Sequence, residues 1–400
     1  MIAMLRSEDM FKLKIVQISL IYIITQSFLG IIIKKQQLFI LFAIIVFAVN
    51  FIPFRYIISL LPAASVAVSF QAQGIMTWFA AFFVFGIIPI LELILNHGGK
   101  FGQDDLSQNA VNNKMYDLVI YMAVPIHLFF VYWYVTDAHA SMNHSYSELF
   151  GKAFAMGIMC GTYGINVAHE LGHRQNWLDQ FLAKLLLLTS CYMQFFIEHN
   201  RGHHKYVGTP KDPSSGRYNE PIYSFWFRSM FFVWISAWNL EFERLKRLKL
   251  PKFHPSNQML QFQGFQLLFL GGIYYFEGHE VAILMWLAAF IGAILLETIN
   301  YIEHYGLVRR KTASGMYEIV TEKHSWNSNH IIGRLLLFEL SRHSDHHAKS
   351  TKKYQELRSL ENAPQMPTGY PGMMVLSLIY PLWVKVMNPL VKKFNSENGQ

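Results

Sequence analysis

Cysteine and charge are what this 400-residue chain has least of. Its two cysteines, Cys160 and Cys191, are too few for a four-thiolate zinc or iron–sulfur site, and too few for a disulfide framework. Both lie inside apolar runs, where a thiol packs as a small hydrophobe. Charged residues make up only 15% of the chain, against roughly 25% in soluble domains. That shortage excludes a disordered linker and argues against an ordinary cytosolic enzyme. Internal repeats and low-complexity tracts are also missing. What is abundant is apolar surface and histidine: 52% of residues are hydrophobic, 16% are aromatic, and 17 are His. Length alone would allow two or three soluble domains. The apolar runs make one membrane domain the better reading.

A membrane span needs about 20 mostly apolar residues. Runs near that length are 14–33, 38–54, 56–71, 75–95, 117–136, 149–168, 178–198, 260–276 and 281–302. The first lacks a small-residue cleavage pattern and reads as an uncleaved helix. Residues 137–148 and 277–280 contain no Lys or Arg, whereas 241–254 and 309–358 are basic. Cytoplasmic loops carry the excess of Lys and Arg, so the basic stretches are assigned to the cytoplasm. Parity then forbids a single crossing by 178–198, which Asp179, Gln180, Lys184 and Gln194 also interrupt. It is expected to lie in or dip into the interface. With 56–71 and 75–95 as a hairpin turning at Gln71–Gly74, an all-α, six-span body results. Runs 14–33 and 38–54 would add two N-terminal spans, at the expense of placing Lys34 and Lys35 outside. The expected organisation is an additional hydrophobic segment over 1–55, a membrane domain over 56–390 and a polar tail over 391–400. Long polar insertions fall at 199–222, 241–259 and 303–372, all on the inferred cytoplasmic side.

The chemistry gathers on that side in four motifs: His169-Glu170-Leu171-Gly172-His173, Glu198-His199-Asn200-Arg201-Gly202-His203-His204, Asn300-Tyr301-Ile302-Glu303-His304-Tyr305-Gly306 and Arg342-His343-Ser344-Asp345-His346-His347. Nine His fall within 17 positions, where the chain-wide frequency would place about 0.7. Residues three or four apart share a helix face, so His169/His173, His199/His203 and His343/His346/His347 can each aim imidazoles at one locus. Nine imidazoles exceed what one zinc takes and suit two metal ions. Nitrogen donors without thiolate fit iron, zinc, copper or nickel. Glu170, Glu198, Glu303 and Asp345 flank the clusters. Each is placed to accept the outer ring N–H of a ligating His, or to ligate directly. The other His are read more plainly. His97, His139, His144, His254 and His279 are surface residues. His127 lies mid-span and needs a polar partner. His324 and His330 are candidates to support the site.

His169-Glu170-Leu171-Gly172-His173 alone also matches the zinc metalloprotease signature, which would leave seven clustered His without a role. A transporter or haem protein should place its ligands at mid-depth, whereas these gather at one face. The full set of motifs resembles the integral-membrane di-iron desaturase and hydroxylase superfamily. HELGH at 169–173, FFIEHNRGHH at 195–204, NYIEHYG at 300–306, HSWNSNH at 324–330, LSRHSDHH at 340–347 and PTGYPG at 367–372 narrow the resemblance to the bacterial alkane 1-monooxygenases, over roughly 56–390. The chain departs from the family in its first 55 residues, at Gly216 in TPKDPSSGR, and at Glu92 where Asp is usual.

The resemblance implies two non-haem iron ions held by His169, His173, His199, His203, His204, His304, His343, His346 and His347. It implies O2 as co-substrate and an n-alkane, drawn from the bilayer, oxidised to a primary alcohol. Electrons would come from rubredoxin, reduced in turn by a rubredoxin reductase. With no Cys-x-x-Cys pair the chain has no fused rubredoxin. Rubredoxins are generally acidic, and the basic cytoplasmic insertions would steer one by charge. A bacterial inner-membrane location is expected, and no nucleic-acid partner. The nearest alternative is a fatty-acyl desaturase or related lipid hydroxylase; an intramembrane zinc protease is more remote. Trp78-Phe79-Ala80-Ala81-Phe82-Phe83 and Phe129-Phe130-Val131-Tyr132-Trp133-Tyr134 are rich enough in aromatics to wall a substrate channel, although lipid-facing packing explains them as well.

Overall fold

The computed structural model describes residues 54–95 and 114–398, so the expected spans at 14–33 and 38–54, and His97, lie outside the described residues. The chain divides into two units, Met1–Leu61 and Pro62–Gln400. Within the first, Phe54–Ser59 form a 3-10 helix. The rest of the description concerns the second.

Apolar sequence of membrane length becomes helix here because every backbone N–H and C=O must find its partner inside the segment. Helix α1 covers Leu60–Gln71, and α2 runs over Gly74–Ile94 after a turn at Gly74. Helix α3 covers Lys114–Ala140 and tolerates Pro125 in its interior. Tyr146–Met159 (α4) passes through a π turn, Cys160–Ile165, into Asn166–Gly172 (α5). Ser145 caps α4 in a reciprocal box with Glu148, an arrangement worth about 1 kcal/mol. Trp177–Thr189 (α6) and Gln194–Glu198 (α7) follow, then a π turn at His199–His203 and the short α8, His204–Tyr206. Next come Ile222–Arg247 (α9), Gln258–Glu277 (α10) and His279–His304 (α11). The C-terminal part contains Ile331–Leu336 (α12), His343–Ala348 (α13), Tyr370–Leu378 (α14) and Tyr380–Glu397 (α15). No strand is present among the described residues, only two isolated bridges, Lys311 with Tyr317 and Asn327 with Gln365.

Among the described residues, three helices are long and apolar enough to cross a membrane: Gly74–Ile94, Lys114–Ala140 and His279–His304. Segment 178–198 is not one continuous helix. It breaks between α6 and α7, where Cys191 adopts φ 47°. The apolar stretch between the insertions at 199–222 and 241–259 forms α9, an element the sequence patterning left unassigned. Its period is blurred because Phe227, Phe231 and Trp234 remain exposed on one side and Phe232 on another. Residues 391–397, expected as polar tail, continue α15, and Val391 is buried.

Close packing of small residues sets the interior. A methyl group on Gly292 of α11 would sit 2.5 Å from Cys160 Cβ, so the two rods meet almost backbone to backbone. Cys160 is the buried small hydrophobe expected of it, and both cysteines are free. His127 also finds a partner inside the helices, Thr189 Oγ1 at 3.0 Å.

Candidate metal centre

The ends of these rods bring the histidine motifs together. His169 and His173 share one face of α5 and its C-terminal cap, as their spacing requires. The next motif behaves differently. His199–His203 is a π turn, in which bonding runs from i to i+5. His199 therefore shares a face with His204, and His203 turns away. In α13, His343 and His347 face one way and His346 the other. The nine imidazoles fall into two groups: His169, His173, His199, His204 and His346; and His203, His304, His343 and His347. The pairing of His199 with His203 at one locus, and of His346 with His343 and His347, is thus corrected. The α-helical spacing rule misassigned the first because the backbone there is not α-helical.

Within each group the potential ligand atoms lie within 4.8 Å of one another. In the five-member group His169 Nε2 faces His346 Nε2 at 3.0 Å, and His199 Nε2 faces both His173 Nε2 at 3.1 Å and His204 Nε2 at 3.0 Å. Neutral imidazoles have too few N–H protons to satisfy so many converging lone pairs, whereas a cation satisfies all of them. In the four-member group His343 and His347 bring their Nε2 atoms to 2.9 Å, while buried His203 Nε2 and His304 Nε2 have no hydrogen-bond partner. Their outer nitrogens are occupied: His203 Nδ1–H donates to Asp212 Oδ2 at 3.0 Å, and His304 Nδ1–H donates to the His324 carbonyl at 2.9 Å. Holding Nδ1 and freeing Nε2 is how a ligating His is oriented. The donor set therefore fits a metal at each group.

Burial also keeps the rings ready. It holds His173 down near 3, and it holds His199, His204, His343, His346 and His347 well below the ordinary value, with neighbouring imidazoles adding to the effect. Neutral imidazole is the ligating form. Burial pushes His203 the same way, but Asp212 beside it wins and holds its pKa above the ordinary value.

The four flanking carboxylates part company. Glu303 lies at the site: its Oε2 is 3.1 Å from His343 Nε2, and Tyr370 Oη–H donates to its Oε1 at 2.8 Å. Glu198 is buried beside the four-member group and accepts from Ser236 Oγ at 3.2 Å; burial pushes its carboxyl up to about 8. Glu170 instead takes the Arg174 guanidinium, at 2.8 Å, and Asp345 takes Lys352 Nζ, at 2.6 Å, together with the Arg358 N–H. Among the described residues, no hydrogen bond or ion pair joins either of these two to an imidazole nitrogen. His324 supports the site through its carbonyl, while its ring pairs with Glu318 at 3.1 Å. His330 meets Ser328 Oγ.

Three residues that motif reasoning passed over belong here. Asp212 lies inside the loop TPKDPSSGR, eight residues after His204. Tyr370 sits in PTGYPG. Glu297 is a lone carboxylate in the apolar run of α11, which marks it as functional or paired; Tyr192 Oη and Ser229 Oγ both donate to it. Glu92 accepts from the Gly333 N–H at 2.8 Å and packs against Gly369, where no side chain fits.

Fold and site together define a helical protein with membrane-length helices and a buried, histidine-lined site whose donors fit metal. The sequence profile of the fatty acid desaturase family matches residues 149–377, which contain all four histidine motifs. The alkane 1-monooxygenase 2 of Pseudomonas aeruginosa is 39% identical over 79% of this chain and 84% of its own length. That of Alcanivorax borkumensis is 37% identical over 83% and 87%. The xylene/toluene monooxygenase hydroxylase component of Pseudomonas putida is 28% identical over 82% and 86%. The chain belongs to the fatty acid desaturase family, among its alkane 1-monooxygenases.

Proposed function

We propose that the protein is a rubredoxin-dependent alkane 1-monooxygenase of the bacterial inner membrane. The balanced reaction is R–CH3 + O2 + 2 e⁻ + 2 H⁺ → R–CH2OH + H2O. The observation that carries the reading is the convergence of all nine motif histidines into two adjacent nitrogen-rich groups, in a chain whose relatives are alkane 1-monooxygenases. His169, His173, His199, His204 and His346 would hold one iron, and His203, His304, His343 and His347 the other. Five nitrogens exceed tetrahedral zinc, which favours iron over the protease reading. When bound, the iron pair supplies the redox chemistry that reduces dioxygen and oxidises the C–H bond.

The chain's own residues do the rest. Asp212 and the His324 carbonyl fix which ring nitrogen faces inward on His203 and His304. Glu303, held by Tyr370, stands beside His343 as a further oxygen donor or as the acceptor of its proton. Most of the nine rings are buried, which keeps bulk water from the centre. An alkane offers no polar handle, so apolar contact from the bilayer side is the means of recognition. The six-span body would comprise α1, α2, α3, the α4–α5 rod, α10 and α11, with 1–55 as an additional segment and the centre at the cytoplasmic face. The absence of Lys and Arg from 277–280, against their abundance in 241–254 and 309–358, supports that orientation.

The test is product analysis with n-octane and n-hexadecane, supplying rubredoxin, its reductase and NADH, beside an acyl-CoA control and elemental analysis of the purified protein. The expected result is 1-alkanols and two irons per chain. Unsaturated product from the acyl substrate alone, or zinc in place of iron, would overturn the reading.

A further inference from the structure

A monooxygenase consumes two electrons per turnover, and the buried histidine groups have to receive them through the protein surface. Two stretches of chain are covalently continuous with both groups: the one after His346 and His347, where Lys352 and Lys353 are taken up by Asp345 and Asp117, and the one after His203 and His204, where the cations meet no carboxylate. Directly after His203 and His204 come Lys205 and Tyr206, and Lys211 lies shortly beyond. Lys205 Nζ and Lys211 Nζ both stand over the Tyr206 ring, at 4.9 and 5.7 Å from its centroid. A second tyrosine is flanked by cations in the same way: Lys311 Nζ and Arg309 Cζ lie 5.7 and 6.0 Å from the Tyr317 ring. The two halves are stitched together by backbone-directed bonds. Arg309 Nη1 donates to the Lys205 carbonyl at 2.8 Å, and the Arg309 N–H donates to the Gly208 carbonyl at 2.8 Å.

Segments 205–211 and 309–317 thus present Lys205, Lys211, Arg309, Arg310 and Lys311 without an acidic residue among them. The nearest carboxylates are engaged: Asp212 is buried against His203, and Glu318 accepts from the Arg310 N–H and faces His324. A rigid basic platform with two aromatic rings, ending one residue from the histidine groups, is matched in charge to an acidic protein.

We propose that the Lys205–Lys211 loop, with the 309–311 edge, is the docking surface for a small acidic one-electron carrier protein. This rests on the monooxygenase reading, because it requires electrons to enter at the histidine groups. Each docking event oxidises the carrier by one electron, and two events with two protons match the reaction's demand. Lys205 and Lys211 supply steering and register, and the Tyr206 ring fills the gap between the carrier and His204. An anionic lipid headgroup would accept the same cations, but it gains nothing from their attachment to His203–His204.

The test uses the full chain in nanodiscs, with Lys205→Glu/Lys211→Glu as the variant and Lys246→Glu/Arg247→Glu, exposed at the end of α9, as the control. Binding is measured with zinc-substituted rubredoxin, which is redox-inert. Reduction is measured by stopped flow with native reduced rubredoxin and, separately, with photoreduced lumiflavin, which needs no docking surface. The proposal expects about tenfold or greater loss of association rate and affinity in the loop variant at low salt, with a gap that narrows as salt rises. Reduction by lumiflavin and bound metal should stay at wild-type levels, and the control should behave as wild type. Unchanged rubredoxin binding in the loop variant would overturn the docking surface, as would a loss confined to nanodiscs rich in anionic lipid, which would assign the patch to lipid. A wild-type protein that binds zinc-rubredoxin through this loop but accepts no electrons from either donor would keep the surface and sink the monooxygenase reading.

Discussion

Replacing Asp212 with alanine takes away the acceptor that holds His203 in place. In the native protein the Asp212 Oδ2 atom accepts from His203 Nδ1–H at 3.0 Å and from Ser215 Oγ at 2.6 Å, while Oδ1 accepts from the Ser214 N–H at 3.1 Å. All of this is buried, with Asp212 only 3% exposed. Without the carboxylate, the His203 ring loses both its orientation and the reason to carry its proton on Nδ1. Leaving a buried donor unpaired costs about 1–3 kcal/mol. Every 1.4 kcal/mol is about tenfold in affinity, which agrees with the roughly 10–100-fold cost of losing a ligand's outer partner. Asp212→Ala is therefore expected to weaken metal at the four-member group by about 100-fold. Asp212→Asn, which keeps an acceptor oxygen, should weaken it by about tenfold. The assay is chelator competition on the purified full-length protein, with metal counted per chain and thermal unfolding followed in the same samples to separate misfolding from weakened binding. An alanine variant that keeps wild-type metal count and affinity refutes the reasoning.

Three more outcomes are expected. His204→Ala and His347→Ala should each abolish hydroxylation while the protein still inserts, and each should lower bound iron by about one ion per chain; retention of full activity in both would dismiss the ligand assignment. Tyr370→Phe leaves Glu303 Oε1 without its 2.8 Å donor. It should cost about 1–3 kcal/mol of stability, seen in denaturant unfolding, and unaltered unfolding would show that Glu303 has another partner. The metal-free protein should lose stability in acid. Unfolded His binds a proton near pH 6.5, but burial holds His173, His199, His204, His343, His346 and His347 neutral in the folded chain. The unfolded state then binds more protons, so stability is level above pH 6.5 and falls below it, by about 1 kcal/mol per pH unit for each ring. His203, held up by Asp212, contributes stability that is full below pH 6.5 and is lost only as pH rises above it, so it does not offset the loss in acid. A thermal midpoint that does not move between pH 7 and pH 5 would contradict this.

Much of the site was legible because metal chemistry leaves a dense local signature. His169 and His173 sit where helical spacing puts them, and every motif histidine ends up in a metal-sized group. What spacing could not supply was the partition between groups. A π turn leaves no mark of its own in the residue pattern, so His199 and His203 read as one face when they occupy two. Carboxylates were legible only half the time for a similar reason. Glu170 and Asp345 lie next to ligand candidates in sequence, but Arg174 and Lys352 compete for them, and those cations come from outside the motifs. Asp212 and Tyr370 reach the site through tertiary folding of loops, which no local pattern records. The helices followed hydropathy closely from α2 through α5 and again at α10 and α11. Helix α9 escaped because aromatic residues surround it on more than one side and hide its period.

Two pairs of sequence neighbours divide between the groups: His203 with His204, and His346 with His347. Consecutive Cα atoms are about 3.8 Å apart across a trans peptide, a length no packing change can alter. The separation of the two centres is thus ruled off twice by covalent geometry, at points far apart in the chain. Any sliding or tilting of the helices that carry these pairs moves one histidine of each group together. The arrangement behaves as a fixed-gap jaw in a deformable frame, which keeps the spacing of the two histidine groups constant while the helices around them shift.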